Sequence, residues 1–217
     1  MTPEQPRLSH RQAATRVVLG LALLGVVVGV VWAWLAPPIA LVIALTRDGD
    51  RVQGYVGDES DLLFLGAFLM TGLLFVLAVT SAVALWQWRP HRGPIMVGAL
   101  SVGALAAAGA AAGVGAGLAR WRHGVVDIAA APVSPEQRVF YTHQAPAVFF
   151  GHGPLQIAAS IVLPAGVAAL VYAICALSTK RDDLGAWPPV EQAFLVTRDP
   201  APTAAADPLV DPSSPSH

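Results

Sequence analysis

Four long apolar runs alternate with polar segments along the chain. They cover residues 17–36, 62–85, 95–119 and 155–177, and none of them contains Asp, Glu, Lys, Arg or His. A helix needs about 20 mostly apolar residues to cross the roughly 30 Å hydrocarbon core of a bilayer. The pattern therefore predicts an all-α membrane protein, with four transmembrane helices in a domain of residues 17–177.

Small residues recur at a fixed spacing inside the third run. Residues 106–117 read AAAGAAAGVGAG, which places Gly109, Gly113 and Gly117 at every fourth position. Residues four apart share one helix face, and helices in lipid associate where small side chains let the backbones approach. We therefore expect a groove that holds a neighbouring helix of the same chain. The alternative is docking of a second copy or of another protein's helix. The preceding alanines widen the groove: Ala108, Ala112 and Ala116.

A shorter version of this spacing occurs in the first run, at Gly25 and Gly29. These two residues and the three glycines of the third run are the predicted helix-packing residues. If the groove of the third run is filled, Gly113→Leu should damage assembly or stability more than Leu100→Ala does.

The distribution of basic residues predicts the orientation of the chain. Of the 13 Lys and Arg residues, the larger share lies in the N-terminal segment 1–16, the short loop 86–94 and the tail 178–217. Basic residues favour the cytoplasmic side. Both termini are therefore predicted in the cytoplasm and the protein in the cell inner (plasma) membrane. Loops 37–61 and 120–154 then lie outside.

Two further predictions concern the ends of the chain. The first run is longer than the roughly 7–15 apolar residues of a signal peptide. It is also followed by Pro37 and Pro38, which favours a retained anchor over a cleaved signal. From about residue 199 the tail consists mainly of Pro, Ala, Asp and Ser, and this composition predicts disorder.

The two outer loops carry strand-like segments. Residues 39–45 and 51–56 flank Asp48-Gly49, a dipeptide typical of β-hairpin turns. The alternative is a bent extension of the first helix that ends in an irregular loop. Residues 125–129 and 138–142 are strand candidates in the second loop. Pairing of these segments would form a small extracytoplasmic β-rich cap.

The composition excludes several classes of function. Only 12% of the residues are charged, against about 25% in soluble domains. The net charge of −1 does not suit a nucleic-acid-binding protein. Cys175 is the only cysteine, so no intramolecular disulfide can form. The absence of charge from the spans argues against a coupled transporter.

Candidate chemistry is sparse on the outer side. His123, His143 and His152, with Asp127 and Glu136, match no compact metal-ligand spacing. The acidic residues of the first outer loop lack the glycine position of a calcium loop; they are Asp48, Asp50, Asp58, Glu59 and Asp61. No Gly-x-Ser-x-Gly nucleophile motif occurs. The sequence therefore predicts no catalytic residue, no metal and no cofactor.

Three stretches of sequence carry a family resemblance. They are WAWLAPP at the end of the first run, TRDGDRVQGYVGDESD in the first outer loop, and LLFLGAF at the start of the second run. Together they resemble an actinobacterial, mycobacterial-type family of small four-pass membrane proteins of unknown function. The resemblance covers about residues 10–180. It implies an inner-membrane location and supplies no ligand or catalytic residue.

These observations favour a non-enzymatic accessory or scaffolding subunit of a cell-envelope membrane complex. Its expected partners are the lipid bilayer and a membrane protein or a second copy of the chain, with no nucleic acid. The alternative is a binder of a lipid or small apolar ligand at the outer face, near Phe140, Tyr141, Phe149 and Phe150. A weaker alternative is an enzyme with an outer site built from His143, His152, Glu136 or Asp127.

Overall fold

The computed structural model describes residues 9–56 and 64–179. Four helices make up most of this part of the chain: α1 (His10–Leu35), α2 (Leu65–Gln87), α3 (Pro94–His123) and α4 (Pro154–Leu177). Each is long and apolar enough to cross a membrane, which indicates a multi-pass membrane protein and confirms the prediction of four membrane-length helices. The predictions for the tail beyond residue 179 and for Asp58, Glu59 and Asp61 lie outside the described residues.

Local sequence signals set the ends of the helices. α1 begins before the apolar run because Ser9 and Gln12 form a capping box: the Gln12 N–H donates to Ser9 Oγ (3.2 Å) and the Ser9 N–H donates to Gln12 Oε1 (3.3 Å). α3 and α4 both begin at a proline, a residue suited to the first turn of a helix. α3 ends at Gly124, whose φ of 74° lies in the left-handed region that glycine tolerates.

The most extensive contact between helices joins α1 and α3. A Cβ added at Gly25 would collide with the Ala107 backbone, and one added at Gly29 would lie 2.6 Å from the Ala111 carbonyl oxygen and 3.0 Å from the Gly115 nitrogen. Backbones approach this closely only where side chains are absent or small. Gly25 and Gly29 therefore lie in the principal seam of the bundle.

The other three predicted packing glycines lie elsewhere. A Cβ added at Gly109, Gly113 or Gly117 would meet no atom within 4 Å. The packed residues of α3 are instead on the opposite side, and include Ala107 and Ala111. The expectation that a neighbouring helix of the same chain fills the Gly109–Gly113–Gly117 groove is therefore wrong. Whether a helix of another chain packs there remains a prediction.

The core consists of two clusters along the bundle. The first cluster includes Leu21 of α1, Leu100 of α3 and Tyr172 of α4. Near the end of α1, Trp32 packs with Met70 of α2. Trp32 is fully buried, and its Nε1–H donates a 2.7 Å hydrogen bond to the Gly66 carbonyl. The largest side chain of the core thus has its polar atom satisfied, as burial requires.

Aromatic residues close the end of the bundle where α2 turns into α3. The Tyr172 ring meets the Trp86 ring edge-on, with 5.2 Å between centroids. The Arg92 guanidinium lies 4.2 Å from the centre of the same indole, and Arg92 Nε–H donates to the Trp86 carbonyl at 2.8 Å. These contacts hold the turn, which contains a short 3₁₀ helix (Arg89–His91), against α4.

The two connections at the other end form one antiparallel sheet of three strands: β1 (Ile39–Leu45), β2 (Arg51–Tyr55) and β3 (Val139–Gln144), in the order β2-β1-β3. The predicted hairpin is confirmed. It turns at Gly49, whose φ is 88°, and pairs Leu45 with Arg51 and Leu41 with Tyr55.

One strand prediction is wrong. Residues 125–129 form an irregular loop and a turn, whereas β3 begins at Val139. The Asp127 carboxylate accepts hydrogen bonds from the Ala129 N–H (2.9 Å) and the Ala130 N–H (3.3 Å). An Asp side chain that bonds the backbone in this way favours a turn over an extended strand. The sheet thus takes one strand, not two, from the second loop.

Candidate functional site

A cavity of about 500 Å³ lies between the sheet and the end of α3. Ligand pockets in proteins typically measure about 300–1,000 Å³ and combine apolar walls with a few polar groups. This cavity has such a volume and such walls. It is lined by residues from the three strands, from α3, from the loop after α3 and from the segment before α4. It is the strongest candidate for a functional site in the described part of the chain.

The sheet forms one wall of the cavity. Successive side chains of a strand point to opposite faces, so Ile39 and Leu41 share the face of β1 that is buried against the rest of the protein. Tyr55 pairs with Leu41, and Gln144 pairs with Ile39. Directly paired residues share a face of the sheet, which places Tyr55 and Gln144 beside these two aliphatic side chains. Gln53 reaches the cavity from the same face.

The opposite wall comes from α3 and from the irregular segments of the second connection. Ala116 and Arg120, four residues apart and therefore on one helix face, line the cavity from α3. Val125 and Ile128 line it from the loop that follows α3, and Val148 and Phe149 from the segment that precedes α4. This wall is mainly apolar and carries one guanidinium.

Among the described residues that line the cavity, Arg120 is the only Lys or Arg, and none is Asp or Glu. His152 and Tyr55 are the other ionisable groups of this described lining. Because none of these described side chains offsets the guanidinium, their electrostatic environment favours a neutral or anionic occupant.

The Arg120 side chain differs from neighbouring arginines in having no partner within the described part of the chain. It is exposed, and within residues 9–56 and 64–179 its guanidinium makes no hydrogen bond or ion pair. By contrast, Arg122 donates to the Ala33 carbonyl at 3.4 Å and lies over the Trp34 ring. Arg138 donates to the Pro135 carbonyl at 3.3 Å. With no partner among the described residues, the Arg120 guanidinium can bind a group that enters the cavity.

The four aromatic residues expected at a ligand site are only partly brought together. Phe149 lines the cavity, but Phe140, Tyr141 and Phe150 do not. Tyr141 pairs with Val42 on the outward face of the sheet and is 69% exposed. Phe150 packs edge-on against Phe68 of α2, with ring centroids 4.8 Å apart. The cavity is thus lined by aliphatic and amide side chains more than by aromatic rings.

The residues considered for an outer enzyme site are dispersed. His152 lines the cavity, but His143 pairs with Ala40 on the outward face of the sheet. Asp127 caps its own turn and Glu136 is exposed. Among the described residues, no group of three or more His, Cys, Asp or Glu side chains is placed to hold a metal ion.

Sequence reasoning missed most of the polar groups of the cavity. Gln53 and Tyr55 alternate along β2, a period-two spacing that could have placed them on one face once the hairpin was predicted. Arg120 directly follows the third apolar run, but nothing in the sequence places it beside the strands. No feature of the sequence indicates that Gln144 lines the cavity, because its position there depends on the pairing of β3 with β1.

Comparison with known proteins identifies relatives but no activity. Residues 21–186 match the family described as "Protein of unknown function (DUF2567)". The chain is 48% identical over 199 residues to the uncharacterized protein Rv1591 of Mycobacterium tuberculosis and to Mb1617 of Mycobacterium bovis, with 91% of this chain and 99% of each relative covered. It is 52% identical over 169 residues to the uncharacterized protein ML1222 of Mycobacterium leprae, with 78% and 85% covered. No solved structure matches the chain.

Proposed function

The chain belongs to the DUF2567 family, whose function is unknown, and we propose that it is a non-enzymatic membrane protein. In this proposal the cavity beneath the sheet holds a small apolar or amphiphilic molecule. The observation that carries the proposal is the cavity of about 500 Å³, whose described lining combines aliphatic walls with the guanidinium of Arg120. Its volume and lining suit a ligand of lipid or drug size.

The cavity lies where the apolar part of α3 ends. Ala116 belongs to the third apolar run, whereas Arg120 follows its last residue. Trp121 is next to Arg120, and tryptophan favours the boundary between hydrocarbon and water. A molecule in the cavity would thus have an apolar environment on one side and an aqueous one on the other. That placement supports an amphiphilic ligand over a purely polar one.

We place the protein in the cell inner (plasma) membrane with both termini in the cytoplasm. This proposal is supported by the excess of Lys and Arg in the N-terminal segment, the 86–94 loop and the tail. In this orientation the sheet and its cavity lie at the outer face of the membrane. The ligand would then come from the outer leaflet or from the space beyond it.

Recovery of a ligand with the purified chain tests the proposal. We expect native mass spectrometry of the full chain in a mild neutral detergent to show one bound small molecule. Ala116→Trp and Gln53→Trp fill the cavity from its two sides and should abolish this adduct. Ala173→Trp, an exposed position on α4, is the matched control and should retain it. A wild-type chain that carries no small molecule and binds none of added oleate, oleyl alcohol and dioleoylphosphatidylglycerol contradicts the proposal.

A second function has its own supporting observation. Gly109, Gly113 and Gly117 leave a face of α3 with open space around it, and such a face suits close approach of a helix from another chain. The chain would then be an accessory or scaffolding subunit of a cell-envelope membrane complex, with a membrane protein or a second copy as partner. Affinity purification after cross-linking should recover that partner with the wild type and lose it with Gly113→Leu. Recovery of the wild type only as a monomer would contradict this function.

A further inference from the structure

We propose that the ligand is a single amphiphile with an anionic head group, a carboxylate or a phosphate ester. Arg120 binds the head group in the cavity, and the alkyl chain lies along the open face of α3 over Ala116, Gly113 and Gly109. This inference rests on the proposed ligand-binding function and names the chemical class of the ligand.

The charge of the cavity selects the head group. Among the described residues, Arg120 is the only Lys or Arg that lines the cavity, no carboxylate lines it, and the guanidinium has no hydrogen-bond or ion-pair partner. Guanidinium groups bind carboxylates and phosphates through two parallel hydrogen bonds. Gln53 and Gln144 also line the cavity, and their amide N–H groups can donate further hydrogen bonds to an anion.

The geometry of α3 provides a path for the alkyl chain of the ligand. Positions 109, 113, 116 and 120 are separated by four, three and four residues, the spacing of one helix face. A Cβ at Gly109 or Gly113 would meet nothing within 4 Å, so the face is open as well as flat. At about 1.5 Å per residue, Arg120 to Gly109 spans roughly 16 Å. That length is about half of the hydrocarbon core, the depth that one leaflet supplies.

The same residues argue against the other occupants of this face. A free inorganic anion would use Arg120 but would leave the aliphatic walls formed by Leu41, Ile128 and Val148 uncovered. A partner helix would pack against the glycines but would not enter the cavity between the sheet and the loops. An anionic amphiphile accounts for the guanidinium, the aliphatic walls and the glycine face together.

Binding of matched probes to the full chain tests the inference. In a neutral detergent, native mass spectrometry would follow titration with oleate, oleyl alcohol, inorganic phosphate and dioleoylphosphatidylglycerol. We expect one oleate or one phosphatidylglycerol per chain, and oleyl alcohol to bind about tenfold more weakly because it lacks the charge. Tighter binding of phosphatidylglycerol would identify a membrane lipid as the source, and tighter binding of oleate a free fatty acid.

Substitutions distinguish binding of the head group from binding of the alkyl chain. Arg120→Gln should weaken the binding of oleate about tenfold and leave the binding of oleyl alcohol unchanged. Arg47→Gln, in the exposed hairpin turn, is the control and should change the binding of neither probe. Gly113→Leu should weaken the binding of both probes because the leucine side chain would obstruct the alkyl chain. Gly72→Leu, at an open glycine of α2, is its control and should change neither probe.

Distinct results would overturn the inference and the proposed function. If oleyl alcohol binds as tightly as oleate and Arg120→Gln has no effect, the cavity binds amphiphiles without selecting charge, and only the head-group inference fails. If inorganic phosphate binds as tightly as oleate, the cavity is an anion site in which the alkyl chain of the ligand has no role. A dimer that Gly113→Leu dissociates would show that a second copy covers the α3 face. Failure of oleate, oleyl alcohol and dioleoylphosphatidylglycerol all to bind would overturn the proposed function itself.

Discussion

Gly29 of α1 lies against Ala111 of α3 with no room for a side chain between them. A Cβ at Gly29 would lie 2.6 Å from the Ala111 carbonyl oxygen. Backbone atoms cannot rotate away from an added methyl group as the end of a long side chain can, so the helices would have to separate. Because helices in lipid associate chiefly through such close packing, this contact is central to the stability of the bundle.

Gly29→Ala should therefore destabilise the protein even though alanine is the better helix former. Overpacking of this kind costs about 1–3 kcal/mol, which exceeds the gain of roughly 1 kcal/mol in helix propensity. The measurement is thermal unfolding in detergent. Gly20→Ala is the matched control: it lies in the same helix with nothing within 4 Å of an added Cβ. An equal or higher melting temperature for Gly29→Ala than for Gly20→Ala would contradict the close contact.

Leu100→Ala should destabilise the fold more than Gly113→Leu, the reverse of the order that the sequence predicts. Leu100 is completely buried, and removing such a side chain costs about 2–5 kcal/mol. A side chain at Gly113 meets open space, so the change in monomer stability should stay within about 0.5 kcal/mol. Denaturation of the monomer in detergent measures both variants. A larger loss for Gly113→Leu would mean that the Gly113 face is packed.

Trp32→Phe should lower stability because it removes a buried hydrogen bond and part of a fully buried side chain. The Trp32 Nε1–H donates to the Gly66 carbonyl, and phenylalanine would lose this bond and leave part of a fully buried site unfilled. The expected cost is about 1–3 kcal/mol, measured by thermal unfolding. Trp121→Phe, at a residue that is 86% exposed, should cause little change. Equal melting temperatures for the two variants would show that the bond contributes nothing.

Cysteine labelling tests the proposed orientation in whole cells. In a Cys175→Ser background, a new cysteine at Asp48 marks the hairpin turn, and one at Arg89 marks the turn between α2 and α3; both positions are exposed. We expect a membrane-impermeant maleimide to label Asp48→Cys in intact cells and to label Arg89→Cys only after lysis. The opposite pattern would place the cavity in the cytoplasm.

Local features of the sequence determined the helices and the hairpin. Runs of hydrocarbon length without charge specify membrane-length helices whatever the neighbours are, and Asp48-Gly49 between two apolar segments specifies a tight turn. The capping box at Ser9 also acts locally and explains why α1 begins at His10, before its apolar run. Asp127 shows the limit of such reasoning, because its side chain accepts two backbone hydrogen bonds that favour a turn in a strand-like segment.

Only the tertiary structure decided which side of α3 is packed. The helix carries small residues all round, so Ala107 and Ala111 suit a close contact as well as Gly109 and Gly113 do. Spacing alone cannot choose between two faces with equally small side chains, and the fit of Gly25 and Gly29 against Ala107 and Ala111 made the choice. The cavity likewise depends on the fold. Arg120 lines the same cavity as Gln53 and Gln144 only because β1 pairs with both of its neighbours, and no short stretch of sequence encodes that long-range pairing.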